Sequence, residues 1–331
     1  MKKILTLTII FCSFLYAQKL EKLILSGPIA SVSHPFLYMV ESGALLDIAE
    51  RVEFRLWNNP DELRALILKK EVDFTALPSN LAAILHNKGQ DIELLGISIW
   101  GIFEILSRDP NVKKIEDLKG KELIVPFRAD MPDIILQALL GRAGLNPRVD
   151  IKINYVASPP DALQMLLLRR GEHALLAEPA TSMAMRKTGN FPLKLIAPSL
   201  YRAIDLQKEW GRLFGGDSKI PQAGIAAIAP HDSELKNRIA QEYAKALTWY
   251  KTHPKEAGEL ISKHFPIFSA EAISDSISHV TFEFRTTKQS QESLENFFTI
   301  LHSIEPKLIG GKLPNAQFYE HKIDIKDKEA K

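Results

Sequence analysis

Arg128, Asp130 and Glu178 are the residues whose types and placement offer chemistry most directly. An arginine carries a planar fork of N–H donors, so Arg128 suits bidentate pairing with a carboxylate or sulfonate. Beside Asp130 it reads equally as a surface arginine. Glu178 follows four apolar residues, where its carboxylate would accept from an amine or a ring N–H; a negative charge there also suits a helix start. Trp57 and Trp100 offer flat faces for a planar ligand, or fill a core. His34, alone in a helix-start loop, reads as a structural or solvent-facing group more readily than as a metal ligand. Ser79, Asn80 and Thr181 are of the right type to bond a solute, and as caps they can be satisfied within the chain. Ser33, Pro78 and Met131 complete the candidate set through their loops.

These residues need elements to hold them. Leu23 to Ser26, Val52 to Leu56 and Val72 to Ala76 predict strands, each leading to a helix. The first helix starts near Phe36 with a proline in its first turn, and the second is announced by Asn59, Pro60 and Glu62 as N-cap, N1 proline and acidic N3 residue. Ser79 is the expected cap of the third, which Gly89 closes. A second set has strands at Glu122 to Val125, Ile151 to Tyr155 and Ala174 to Ala177. Its helices start after the caps Asp130 and Ser158. Alternating strands and helices predict parallel sheets covered on both faces.

The two sets are one unit written twice. Pro60-Asp61-Glu62-Leu63 through Gly89 recurs, 100 residues on, as Pro160-Asp161-Ala162-Leu163 through Gly189. Both copies run through a leucine-rich helix ending in paired basic residues, an apolar run, a proline (Pro78; Pro179) and an alanine-rich helix. In open parallel sheets ligands bind beyond the carboxyl ends of the strands, where helix N-termini present N–H groups. The expected site is therefore enclosed by Ser31 to His34, Trp57 to Asn59 and Pro78 to Asn80 from one copy. The other supplies Phe127 to Met131, Ala157 to Pro159 and Glu178 to Thr181.

Between the copies, Ile92 to Ile99 and Phe103 to Arg108 predict strands flanking a crossing at Trp100-Gly101-Ile102. Gly224 to Ala229 is a further strand candidate, and the chain from Ser233 reads as helices returning to the first lobe. The expected division is residues 18–101 plus 217–318 as lobe one, 102–216 as lobe two and 319–331 as a charged tail. A length of 331 residues agrees with two cores.

Lys2, Lys3 and the apolar run from Ile4 to Tyr16 predict an export signal over residues 1–17, cleaved before Gln18. Its thirteen residues fall short of the ~20 that span a bilayer. Cys12 lies inside it, so the mature chain would hold no thiol. Removal of the two signal lysines leaves 40 basic and 40 acidic residues. That balance, without a basic cluster, argues against nucleic acid or anionic membrane as partner. No GxSxG, HExxH, GxGxxG or GxxxxGK motif is present, nor histidine spacing for a metal.

Glu41-Ser42-Gly43, Val72-Asp73-Phe74, Ile115-Glu116-Asp117-Leu118-Lys119-Gly120-Lys121 and Ala177-Glu178-Pro179 occur in an order that resembles the nitrate, sulfonate, taurine and thiamine-precursor binding proteins of ABC importers. The resemblance runs from about Leu23 to Gly189. It implies an α/β, periplasmic-binding-protein type II fold: two Rossmann-like lobes with a ligand cleft between them. It also implies a periplasmic location, capture of a small polar solute, a permease with its ATPase subunit as partner, and no cofactor. Pyrimidine-synthesising relatives in thiamine metabolism carry a cysteine-rich stretch that this chain lacks. An enzyme of that kind and a sensory solute-binding module remain the alternatives.

Overall fold

The computed structural model describes residues 19–189, 199–228, 230–320 and 323. The expected export signal with Cys12, the cleavage before Gln18, the end of the strand at Ala229 and most of the charged tail lie outside them.

The first copy is β1 (Leu20–Gly27), α1 (His34–Glu41), β2 (Ala49–Leu56), α2 (Pro60–Leu68), β3 (Phe74–Pro78) and α3 (Ser79–Asn87). After β4 (Ile92–Gly101), β5 (Phe103–Ser107) leads to the second copy: β6 (Glu122–Pro126), α4 (Met131–Arg142), β7 (Lys152–Val156), α5 (Pro159–Leu167), β8 (His173–Ala177) and α6 (Ala180–Gly189). Then follow β9 (Tyr201–Asp205), α7 (Leu206–Phe214), β10 (Ala223–Ile228), α8 (Ser233–Thr252), α9 (Pro254–His264), α10 (Ala270–Ser276), β11 (Thr281–Thr286) and α11 (Gln291–Ile304).

Two sheets result, ordered β11-β4-β10-β3-β1-β2 and β7-β6-β8-β5-β9. Strands β3-β1-β2 are parallel, as are β8-β6-β7, so both copies have the same strand order. The expectation of purely parallel sheets is corrected. β10 runs antiparallel to β3 and β4, β11 antiparallel to β4, and β5 antiparallel to β8 and β9. The fit of β10 onto β4 needs a glycine, because a Cβ on Gly224 would stand 1.9 Å from the Gly96 carbonyl oxygen.

Strands β9 and β11 were not foreseen. β11 lies in the stretch expected to be helical, and its residues Thr281-Phe282-Glu283-Phe284-Arg285-Thr286 show the alternation of an edge strand. In register, the structural copies are 99 residues apart at α2 and α5, which start at Pro60 and Pro159, one fewer than the Pro-Asp match indicates. Both helices end alike: Glu71 N–H reaches the Leu66 carbonyl and Arg170 N–H that of Met165, with Lys70 and Arg169 in the left-handed region.

The long helix α8 ties the later chain to the first copy. Tyr243 Oη donates to the Val32 carbonyl at 2.7 Å and lies 2.9 Å from Ser98 Oγ, while Tyr250 Oη lies 2.8 Å from His34 Nδ1. Both tyrosines are fully buried, so the loop between β1 and α1 is fixed from beneath.

Candidate functional site

A cavity of about 140 Å³ lies where the carboxyl ends of the two parallel triplets face each other. The first copy contributes Pro28, Ile29 and Ala30 after β1, Trp57 to Pro60 after β2, and Pro78 at the end of β3. The second contributes Pro126 at the end of β6, Phe127 after it, the cap Asp130 with Met131 and Pro132 of α4, Pro159, and Ala177 to Ala180. The crossings supply the remaining wall: Ile99, Ile102 and Phe103 outward, Gln222 and Ala223 on the return, with Phe268 beside them. Five foreseen residues, Trp57, Pro78, Asp130, Met131 and Glu178, thus meet at one cavity.

The others do not line it. Ser33 Oγ donates to the Pro28 carbonyl at 2.6 Å, Ser79 Oγ to that of Pro221, and Asn80 Nδ2 to that of Leu308 at 3.3 Å. Ser79 is the first helical residue of α3, not its cap, which is Pro78. Thr181 is buried within α6 and His34 lies wholly beneath the surface, against Tyr250 and Phe265. Burial holds the His34 imidazole down to a pKa of about 3, so it is neutral at physiological pH. Trp100 is core: its Nε1 donates to the Glu283 carbonyl at 2.7 Å and Arg285 covers its ring.

Arg128 is corrected for a reason in the backbone. Phe127 and Ala129 both have positive φ, 57° and 61°, a conformation costly to side chains with a Cβ. Asp133 holds this turn by accepting from Ala129 N–H at 2.7 Å, and it also accepts from Tyr155 Oη at 3.0 Å. Phe127 faces the cavity, whereas exposed Arg128 lies over the Tyr155 ring, 5.4 Å from its centre.

Glu178 reaches the wall, but its carboxylate is engaged elsewhere. It accepts from Ser182 N–H at 3.0 Å and Ser182 Oγ at 3.1 Å, and pairs with Arg202 at 2.6 Å. Arg202 also pairs with Glu104. Burial pushes the titration of both acids up, with Arg202 opposing it. The Glu178 backbone faces the other copy instead, its carbonyl accepting from Ser31 Oγ at 3.3 Å.

Asp130 is the acid left to the cavity. One oxygen caps α4 at Met131 N–H, 2.8 Å away. Burial pushes its pKa up, against the pull of that N–H and of Arg64.

Sequence reasoning missed Gln222, Phe268 and Arg202. Gln222 stands on the return crossing, the counterpart of the outward crossing that glycine and tryptophan made visible. An amide after a proline carries no comparable signal. Arg202 belongs to β9, which was itself not foreseen.

No protein-family model matches the chain, and no curated protein matches it. Solved structures do. The crystal structure of an ABC transporter protein from Parabacteroides distasonis is 27% identical, with 91% of this chain and 99% of that one covered at a TM-score of 0.74. The periplasmic aliphatic sulphonate-binding protein SsuA from Escherichia coli is 13% identical, covering 92% and 93% at 0.70. The periplasmic nitrate-binding protein NrtA from Synechocystis PCC 6803 is 14% identical, covering 88% and 84% at 0.63. The structural neighbours are thus periplasmic binding proteins of ABC transporters, and the fold is their two-lobed α/β fold. No described helix is long and apolar enough to cross a membrane.

Proposed function

We propose that the chain is the periplasmic solute-binding component of an ABC importer, exported by a signal over residues 1–17. It captures a small solute between its lobes without bond chemistry. The observation that carries this reading is the cavity at the carboxyl ends of both parallel triplets, the place where open α/β sheets take ligands. The fold of the neighbours supports it.

The sheet memberships of the strands support the division into lobe one, residues 18–101 plus 217–318, and lobe two, residues 102–216. Closure around a solute would turn on the crossings at Ile102 and Gln222, and a permease with its ATPase subunit would receive the closed form. The resemblance implied a sulfonate-, taurine-, nitrate- or thiamine-precursor-like solute.

A thermal-shift screen of the chain from Gln18 onward tests the reading, since a ligand of the folded state alone raises Tm. The panel spans those four classes, amino acids and aromatic amines. At least one compound is expected to raise Tm by several degrees. Silence across the whole panel would count against a solute-binding role.

A further inference from the structure

The side chains on the cavity wall offer acceptors more readily than donors. Its polar groups set this direction, beginning with Gln222. Gln207 fixes the orientation of the Gln222 amide: Gln207 Oε1 accepts from Phe103 N–H and its Nε2 donates to the Phe103 carbonyl, both at 3.2 Å. A Gln207 side chain held this way can offer Gln222 only an acceptor, so Gln222 Nε2 donates to it at 3.2 Å. Gln222 Oε1 is left buried without a partner on a residue of the cavity wall. A buried acceptor in that state is destabilising unless a ligand satisfies it.

Donors are scarce by the same construction. Among the described residues no lysine, arginine or histidine lines the cavity. The helix N-termini, which elsewhere cradle anions, give N–H groups to the chain's own side chains here. Asn59 takes the Asp61 and Glu62 N–H groups of α2, Asp130 takes Met131 N–H of α4, and Ser158 takes Asp161 N–H of α5. At α6 the Ser182 N–H goes to Glu178. Pro60, Pro132, Pro159 and Pro179 have no N–H to give. Trp57 Nε1 donates to Thr75 Oγ1 at 3.2 Å. Asn58 and Asn59 stand exposed at the rim.

An apolar wall of Ile29, Trp57, Phe103, Phe127 and Phe268 surrounds the two acceptors, Asp130 and Gln222. A volume of 140 Å³ is close to the roughly 150 Å³ that holds a benzene-sized body. Resting on the solute-binding reading above, we propose that the cleft takes a ring-sized, largely apolar molecule that donates hydrogen bonds from an amine or ring N–H to Asp130 and Gln222, and that it rejects oxyanions.

The test pairs probes with one ring and opposite heads: benzylamine against benzenesulfonate, with nitrate as a second oxyanion, titrated calorimetrically into the chain from Gln18 onward. Benzylamine is expected to bind at least tenfold more tightly than either anion. Asp130→Asn, which keeps a good N-cap, and Gln222→Leu are each expected to weaken benzylamine by about tenfold, the effect of one hydrogen bond to a charged group. Tighter binding of benzenesulfonate or nitrate would overturn the ligand class while leaving solute binding intact. Benzylamine affinity unchanged in both variants would overturn the assigned acceptors. If neither head binds, the broad screen decides: an oxyanion as its hit, or no hit, overturns the inference, and only the latter overturns solute binding with it.

Discussion

The two copies of the repeated unit share strand order and helix caps, yet they stabilise opposite kinds of buried group. The first copy buries a neutral base: His34 sits against Tyr250 and Phe265, with no acid in contact among the described residues. The second buries acids: Glu178, with Glu104 from the adjoining strand, is held by Arg202 from β9. The β1–α1 loop closes on itself with Ala30 extended at φ −147°, while the β6–α4 loop carries two left-handed residues. Topology is therefore duplicated, and the chemistry of each copy is set by what later segments bring to it.

The largest expected effect breaks the second copy. Arg202→Met leaves two buried carboxylates close together and uncompensated, a change that costs about 3–5 kcal/mol at neutral pH. Denaturant unfolding should show the loss, and the loss should shrink as pH falls and the raised acids protonate. An unchanged midpoint at neutral pH would dissolve the contrast between the copies.

The first copy responds to pH with the opposite sign. The His34 pKa is lowered from 6.5 to about 3, so between these values the unfolded chain binds more protons and stability falls with falling pH. The His34 contribution is roughly 1 kcal/mol per pH unit. His34→Asn should flatten that part of the profile, read as Tm from pH 7 to pH 4. A profile of unaltered slope would remove the first copy from the comparison.

Loop conformation gives a smaller, sharper test. Ala129→Gly is expected to raise stability by about 0.5–1 kcal/mol, because a left-handed alanine is relieved, whereas Ala30→Gly should lower it by a similar amount. Equal signs would show that the two loops do not differ in strain. Arg128→Ala should likewise cost only about 0.5–1 kcal/mol, the worth of an exposed cation–π contact, and leave solute affinity within about twofold.

The sequence carried the architecture where local signals repeat. Asn59, Asp130 and Ser158 cap the helices they were expected to cap, and six strands of the two triplets lie within three residues of their expected positions. The antiparallel strands were hidden because β5 and β10 read as ordinary apolar runs, and direction is a property of the crossings. At the site, the loops were legible and the side-chain directions were not. Arg128 is turned outward by φ values that its neighbours' identities, Phe127 and Ala129, give no hint of. Glu178 is claimed by an arginine 24 residues later on an unforeseen strand. Gln222 acquires its direction only through Gln207 and Phe103, three segments that meet in space.

The central claim is that the cavity between the copies holds the solute. Its most direct measurement is calorimetric titration of the best ligand from the screen into the native chain and into Ala177→Phe, with circular dichroism to confirm folding. Ala177 ends β8 on the cavity wall, and a phenylalanine there fills the space a solute would occupy. The account expects binding to the native chain and its loss, by at least tenfold, in the folded variant. Equal affinity in both would place the ligand elsewhere and contradict the account.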